Sequence, residues 1–324
     1  MGKLEYASAV RFIRKMRGGS QPILVEASDR NLYVVKSQDN LQGRNVLFNE
    51  VVGSEMFRQV GLPGPEWALI HLSQRFLDDN PDCCFETADG FQRRKPGWCF
   101  GSRMLGLNGS RILEIIPGRY FSRIENRGDF FRAWVVDALC EHSDHRQALF
   151  VEGPTRRLTA FFIDHGPLLA GADGLASPVI WASLYLDRSI YADVCSEFAD
   201  EVEVSLRWID LGALARTIRE LPVEWETPEA QRRFDIFAQR LSDGSWLKGT
   251  ARTLLRLLEG LGRKDEDGHA ATPRVRLGGT ALCSEVSCGE LRGRSDERIR
   301  GTSCHQARAG HPLLRPPRVA GANI

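Results

Sequence analysis

Hydrophobic positions in the first third of the chain predict short strands arranged around one helix. Runs rich in β-branched and aromatic residues predict strands at Pro22–Ala27, Leu32–Lys36, Glu66–Leu72 and Trp98–Arg103. Between the second and third strands, apolar residues recur every three or four positions from Val46 to Val60. That spacing predicts an amphipathic helix, which Gly61 and Pro63 end.

The segment 73–97 has a different character, because it is polar and rich in Asp, Pro and Arg. It predicts a long insertion that is exposed and mobile. The strand at Trp98–Arg103 leaves this insertion, and we place a lobe boundary just beyond it. Residues 1–104 are therefore expected to form a small β-rich lobe with one main helix.

The second half of the chain is mainly helical by pattern, with one β-hairpin near its start. A strongly apolar helix is predicted at Asp129–Cys140, followed by a polar stretch and a buried strand at 161–163. Weaker helical spacing follows at Ile190–Phe198, Val202–Leu221, Pro228–Leu241 and Leu247–Leu261. Residues 105–262 are therefore expected to form a second lobe, which makes the fold class α+β and bilobal.

The last segment, 263–324, lacks Phe, Trp and Tyr and is dominated by Gly, Arg, Pro, Ser and Thr. Such a segment cannot bury enough apolar surface to order itself, so we predict a disordered tail. It contains Cys283, Cys288, Cys304 and His305, whose spacing is too loose to favour a zinc site.

Composition narrows the function classes. The 324 residues carry a net charge of +1, which gives no electrostatic argument for binding nucleic acid or a membrane surface. No apolar run reaches the roughly 18 to 20 residues of a membrane helix, and no signal peptide is evident. Eight widely spaced cysteines are not a disulfide framework. We expect a cytoplasmic protein with reduced thiols.

Two features of the first lobe suit the binding of phosphates. Lys36 ends an apolar strand, and Glu50 on the following helix is the favoured partner for it, with Glu55 as the competing partner. The turn Gly18–Ser20, which comprises Gly18, Gly19 and Ser20, leaves backbone N–H groups free to approach a phosphate. The ordinary alternatives are a surface lysine and a plain hairpin turn.

The hairpin of the second lobe carries the acidic residues of the candidate site. Asp144 lies in a polar turn and could accept a hydroxyl proton, while Asp164 follows a buried strand and suits a divalent metal. Gln147 could offer its amide oxygen to the metal, and Arg146 could neutralise a phosphate or Asp144. Each aspartate could also be a simple turn residue.

Histidines near both aspartates leave a metal-dependent hydrolase open as a third hypothesis. His142, His145 and His165 lie close in sequence, although loop histidines with local hydrogen bonds are the commoner case. No G-x-S-x-G elbow occurs, and Cys140 lies inside an apolar helix, so nucleophilic hydrolases are disfavoured.

Taken in order, these segments resemble the HipA-like kinase family, in its shorter bacterial form with a compact N-lobe. The resemblance spans Gly18 to Leu169 and rests on Leu32–Lys36, Asn49–Glu50, Gly61–Pro65, Phe100–Arg103, Asp144–Gln147 and Phe162–Gly166. It implies a bilobal protein-kinase-like fold, ATP with Mg²⁺, and transfer to a Ser/Thr hydroxyl. By this resemblance Lys36 contacts phosphates, Asp144 is the catalytic aspartate and Asp164 the metal ligand.

The chain departs from the family pattern at the second metal ligand. Kinases place an Asn five residues after the catalytic Asp, where this chain has Leu149, and Asp-Phe-Gly appears as Asp-His-Gly. No Ala-Pro-Glu segment follows. Two functions therefore stay open: a phosphotransferase acting on a protein or small-molecule hydroxyl, and a catalytically inactive nucleotide-binding module. An antitoxin-like protein partner is possible by family analogy.

Overall fold

The structure, a computed structural model, describes residues 4–43, 45–106, 110–169, 182–243 and 249–262. All of them lie in the first of two units, Met1–Ser284. The predicted tail 263–324, with its Cys and His residues, lies outside the described residues. The lobe boundary at 104/105 stays a prediction.

The described elements are α+β, as predicted, with most strands in the first half and most helices in the second. The strands are β1 Tyr6–Lys15, β2 Ile23–Ala27, β3 Leu32–Lys36, β4 Trp67–Leu72, β5 Cys84–Thr87, β6 Gly90–Arg93, β7 Gly97–Arg103, β8 Arg111–Leu113, β9 Gln147–Glu152 and β10 Leu158–Ile163. The helices are α1 Val46–Gln59, α2 Gln74–Asp79, α3 Asp129–Leu139, α4 Ser196–Leu206, α5 Leu211–Arg219, α6 Pro228–Asp243 and α7 Thr250–Gly262. No helix in these ranges is long and apolar enough to cross a membrane.

Among the described residues, five N-terminal strands close into a barrel in the order β1–β2–β3–β7–β4. β4 pairs with β1 in parallel, and the other neighbours are antiparallel. Apolar side chains that alternate along the strands fill the interior, including Ile23, Val25, Val35 and Ile70. The sequence did not predict β1, whose second half is largely exposed and basic.

Helix α1 packs against the helices of the second half of the chain. Its apolar residues belong to a core shared with α3 and α6, separate from the barrel interior. The rings of Phe48 and Phe234 lie edge to face, 6.3 Å apart. Gln59 Oε1 accepts the backbone N–H of Asp210 at 2.6 Å. Both ends of this apolar helix are therefore fixed to the C-terminal half.

The segment 73–97 is not the wholly exposed insertion that its composition predicts. It forms α2 and the β5–β6 hairpin, and Phe76, Leu77 and Cys83 belong to the barrel core. Only β6 is exposed along its whole length. The prediction was wrong because a few apolar residues among many polar ones anchor the segment, and average composition hides them.

The second half follows the predicted pattern with two corrections. The hairpin forms with Ile163 opposite Gln147, and β8 adds an unpredicted third strand to it. The predicted helix Val202–Leu221 is two helices, α4 and α5, because the Asp210 side chain accepts the N–H of Ala213 and starts a new helix. The predicted helix Ile190–Phe198 is a 3-10 turn, Arg188–Tyr191, followed by the start of α4.

Candidate functional site

The described site centres on Lys36, which lies between two carboxylates from distant parts of the chain. Its Nζ donates to Glu50 on α1 and, at 2.6 Å, to Oδ1 of Asp164 after β10. Glu55, the competing partner, is buried and pairs instead with the exposed Arg58. The fold thus places Lys36, Glu50 and Asp164 together from three separate elements.

Electrostatics keep Lys36 and Asp164 charged although both are largely shielded from solvent, whereas burial raises the pKa of Glu50. Burial by itself lowers the pKa of Lys36, but the Glu50 and Asp164 carboxylates outweigh it and raise that pKa above its usual range. Burial opposes ionisation of Asp164 too, yet Lys36 holds the pKa of Asp164 below its ordinary value. The Lys36 ammonium therefore keeps the Asp164 carboxyl ionised.

Helix α1 also holds the segment that follows Asp164. Glu50 accepts the backbone N–H groups of His165 and Gly166 at 3.2 and 3.0 Å. Asn49 donates its amide to the carbonyls of Gly166 and Leu168, both at 2.7 Å. One turn of a helix that is anchored elsewhere thus sets the path of the chain beyond Asp164.

Close packing at Gly53 completes this contact. A Cβ built there would lie 2.3 Å from the Cβ of His165, so only glycine permits the approach of the two segments. The His165 ring packs edge to face on Phe57, with centroids 4.5 Å apart. His165 therefore fills an apolar position behind the site.

The backbone of Asp164 is strained, since its φ of 63° lies in the left-handed region. Lys36 holds one carboxylate oxygen, and the Gln147 amide donates to the other at 2.7 Å. Because the nitrogen of Gln147 faces Asp164, its oxygen remains as a hydrogen-bond acceptor or ligand atom. Strain that neighbouring contacts hold in place is typical of functional sites.

Arg146 has a different position from the one expected of a phosphate-binding residue. It is 2% exposed and makes a two-pronged ion pair with Asp137 on α3. Its guanidinium also donates to the carbonyl of Ile163 at 2.9 Å. Arg146 thus fixes the end of β10, and its buried charge is already compensated.

Asp144 lies on the exposed side of the same loop. Its Oδ1 accepts the N–H of His145 at 2.7 Å, a local turn contact. The buried His142 ring places Nδ1 2.7 Å from the Asp144 carbonyl and Nε2 3.3 Å from the Asp164 carbonyl. Burial and then Arg146 lower the pKa of His142, which favours the neutral ring with a single N–H donor. His142 therefore positions both aspartate-bearing segments.

The three histidines do not converge on one point. His145 Nδ1 faces the Leu184 carbonyl at 3.2 Å, while Arg146 lies against Nδ1 of the buried His165. Within the described ranges no three His, Cys, Asp or Glu side chains are grouped to hold a metal ion. Each of these histidines therefore has its own local contacts.

The turn predicted to cover phosphates joins β1 to β2. Gly18 has a φ of 131°, and the N–H of Gln21 closes the turn on the Gly18 carbonyl at 3.0 Å. A Cβ at Gly19 would meet the Gln42 side chain at 2.9 Å, and Ser20 is buried. Glycine is thus required by the backbone at Gly18, whereas the contact at Gly19 is with the flexible end of Gln42.

Known proteins place this geometry in context. The sequence model of the HipA-like kinase family matches residues 9–105 of this chain. The resemblance expected from the sequence is confirmed over this range, which carries Lys36 and Glu50 and ends before Asp144 and Asp164.

Solved structures add evidence for the fold. The crystal structure of the Helicobacter pylori proinflammatory kinase CtkA has a TM-score of 0.51 and 12% identity, and the match covers 78% of this chain and 100% of the other. The Golgi casein kinase with Mn/ADP bound has a TM-score of 0.39 and 10% identity, over 78% and 75%. A search of curated proteins found no match. The CtkA match shows a protein-kinase-like fold, the fold expected from the sequence.

Four residues have positioning roles that the sequence did not assign, although Asn49 and His142 were singled out there for other reasons. Asn49, Gly53, Asp137 and His142 all contact the segments that carry the predicted site residues. The sequence did contain a signal for Asp137, because a lone carboxylate in a strongly apolar helix requires a buried partner. Gly53 had none, since its importance depends on a residue 112 positions later, His165.

Proposed function

We propose that this chain is an ATP- and Mg²⁺-dependent phosphotransferase that transfers the γ-phosphate to a hydroxyl, Ser or Thr of a protein in the first instance. The observation that carries the proposal is Lys36 held between Glu50 and Asp164, with Gln147 on the second oxygen of Asp164. A lysine held by a helix glutamate beside a metal-binding aspartate is the arrangement that positions ATP phosphates in kinases.

The donor set fits a nucleotide-bound magnesium ion. Mg²⁺ is usually held by one or two carboxylates together with substrate phosphates, and seldom by an all-protein cage. Asp164 offers one carboxylate and Gln147 one amide oxygen. When bound, the ion would neutralise charge on the phosphates.

The residues of the chain would divide the remaining work. Lys36 binds phosphate oxygens, and the turn Gly18–Ser20 approaches them with backbone N–H groups. Asp144 accepts the proton of the acceptor hydroxyl while the hydroxyl oxygen forms a bond to the γ-phosphorus. The bond between that phosphorus and the bridging oxygen breaks, and ADP leaves with the bond's electron pair.

Leu149 supports the alternative, a nucleotide-binding module without catalysis. It occupies the position at which kinases place the second metal-binding Asn, and it is paired with Phe161 in the hairpin. Gln147 must then supply that ligand from the start of the strand. A small-molecule hydroxyl stays open as the acceptor.

Incubation with γ-labelled ATP and Mg²⁺ separates these functions. We expect ATP turnover or label transfer by the wild type and its loss in Asp144→Ala, with nucleotide binding retained in both. Nucleotide binding without turnover by the wild type would support the inactive module. Mass spectrometry of a lysate treated with wild type or Asp144→Ala would then identify the phosphorylated species.

A further inference from the structure

Arg94 is a buried cation whose contacts the proposed chemistry does not use. It follows the β5–β6 hairpin and is 4% exposed. Burial lowers the pKa of Arg94, and the nearby Cys83 and Asp39 offset that effect only in part. Its Nε–H has no hydrogen-bond partner among the described residues. A buried cation with neutral partners stabilises a fold weakly, so its contacts need another explanation.

The contacts of Arg94 join the two phosphate-facing parts of the barrel. One guanidinium nitrogen donates to Ser37 Oγ at 2.7 Å, and Ser37 directly follows Lys36. Another donates to the backbone carbonyl of Gln21, which ends the turn after Ser20. The Phe85 ring lies under the guanidinium, 3.8 Å from its carbon to the centroid. One rigid, planar group therefore spans the turn and the end of the lysine strand.

The turn is also held from its other side by the hairpin that precedes Arg94. Gln21 has a φ of 44°, which is unfavourable for a side-chain-bearing residue. Its side-chain amide bonds both backbone groups of Glu86, at 2.6 and 2.7 Å. Lys15 pairs with the Glu86 carboxylate at 2.8 Å. The hairpin thus supports the strained residue, while Arg94 ties that residue to β3.

We propose that Arg94 is a positioning residue for nucleotide binding. Through its bonds to Gln21 and Ser37, it fixes the turn Gly18–Ser20 relative to Lys36. The inference rests on the proposed function, because the proposed function assigns phosphate contacts to both the turn and Lys36. In this arrangement the segment 73–97 is a support for the phosphate site. Without Arg94, the turn and Lys36 are expected to move independently.

The test is nucleotide affinity in Arg94→Met, measured by calorimetry with ATP and Mg²⁺ on the full chain. We expect Kd to rise about tenfold, because the charge-assisted bonds to Gln21 and Ser37 are lost. The melting temperature should change little, since methionine can still pack on Phe85. Arg94→Lys should be intermediate, because an ammonium keeps one of the two contacts. Arg93→Met, at the exposed neighbouring position, is the matched control and should bind as wild type.

Hydrogen exchange in the nucleotide-free protein supplies a second measurement. Amides of residues 18–21 should exchange faster in Arg94→Met than in the wild type. Their exchange should be unchanged in Arg93→Met. Wild-type affinity and exchange in Arg94→Met would overturn the inference. If Arg94→Met does not fold, wild-type affinity in Arg94→Lys would do so. A wild type that binds no nucleotide would instead contradict the proposed function.

Discussion

The two sides of the candidate site are built in opposite ways. On the cation side, Glu50 is buried and Lys36 is mostly buried, and packing of α1 with the C-terminal helices holds them in place. On the acceptor side, Asp144 and Gln147 are exposed at the edge of a hairpin, with few contacts. The buried side is fixed by the same contacts that fold the protein. The exposed side carries groups whose removal should leave the fold intact.

The largest expected effect is on the exposed side. Asp144→Asn should lower ATP turnover about 1,000-fold, because the general base is lost. The melting temperature should not change, since the asparagine oxygen can still accept the His145 N–H. Asp89→Asn, in the exposed turn between β5 and β6, should keep full turnover. A large loss of stability in Asp144→Asn would contradict the separation of the two sides.

Glu50→Gln tests the buried side. Breaking a buried pair while its partner stays charged should destabilise the protein by about 3 kcal/mol in urea unfolding, together with a loss of turnover. Glu55→Gln is the control, because Arg58, its partner, is exposed and the amide oxygen can still accept the Trp67 N–H, so the change should cost less than about 1 kcal/mol. If both substitutions lower the free energy of unfolding equally, Glu50 contributes no more to stability than Glu55 does.

Gly53→Ala tests the packing of α1 against the segment after Asp164. The new methyl group would overlap His165 and Leu168, and overpacking of this kind destabilises by about 2 kcal/mol. Gly260→Ala in α7 meets open space and should stabilise the protein by about 0.5 kcal/mol. Thermal melts of both variants compare the sites directly. A neutral Gly53→Ala would show that α1 and this segment can separate at little cost.

The smallest effect is expected at Gln147. Gln147→Leu should lower ATP turnover about tenfold, the loss of one polar contact, with unfolding free energy unchanged within about 0.5 kcal/mol. Gln92→Leu, at an exposed position of β6, is the control. Unchanged turnover in Gln147→Leu would remove Gln147 from the proposed metal site.

Local pattern was sufficient to predict most elements and the main ion pair. The strand that ends at Lys36 and the helix that carries Glu50 follow from periodicity and glycine punctuation. The hairpin between the two aspartates follows from an apolar run beside a polar turn. These features could be predicted because each depends on residues close in sequence.

The position of Arg146 could not be predicted in the same way. Its type suited a phosphate, and only the fold pairs it with Asp137 and buries it. Composition misled at 73–97 for a related reason, since burial of Phe76, Phe85 and Arg94 depends on the barrel beneath them. Average polarity is a property of the segment, and burial is a property of its surroundings.

The sequence by itself determined which groups are available: a strand lysine, a helix glutamate and two aspartates at the ends of a hairpin. Tertiary structure decided which of them meet. Lys36 and Asp164 are 128 positions apart and bond at 2.6 Å, because α1 is anchored to the C-terminal helices and Gly53 admits His165. Contacts of this range depend on the packing of whole elements, which no local pattern encodes.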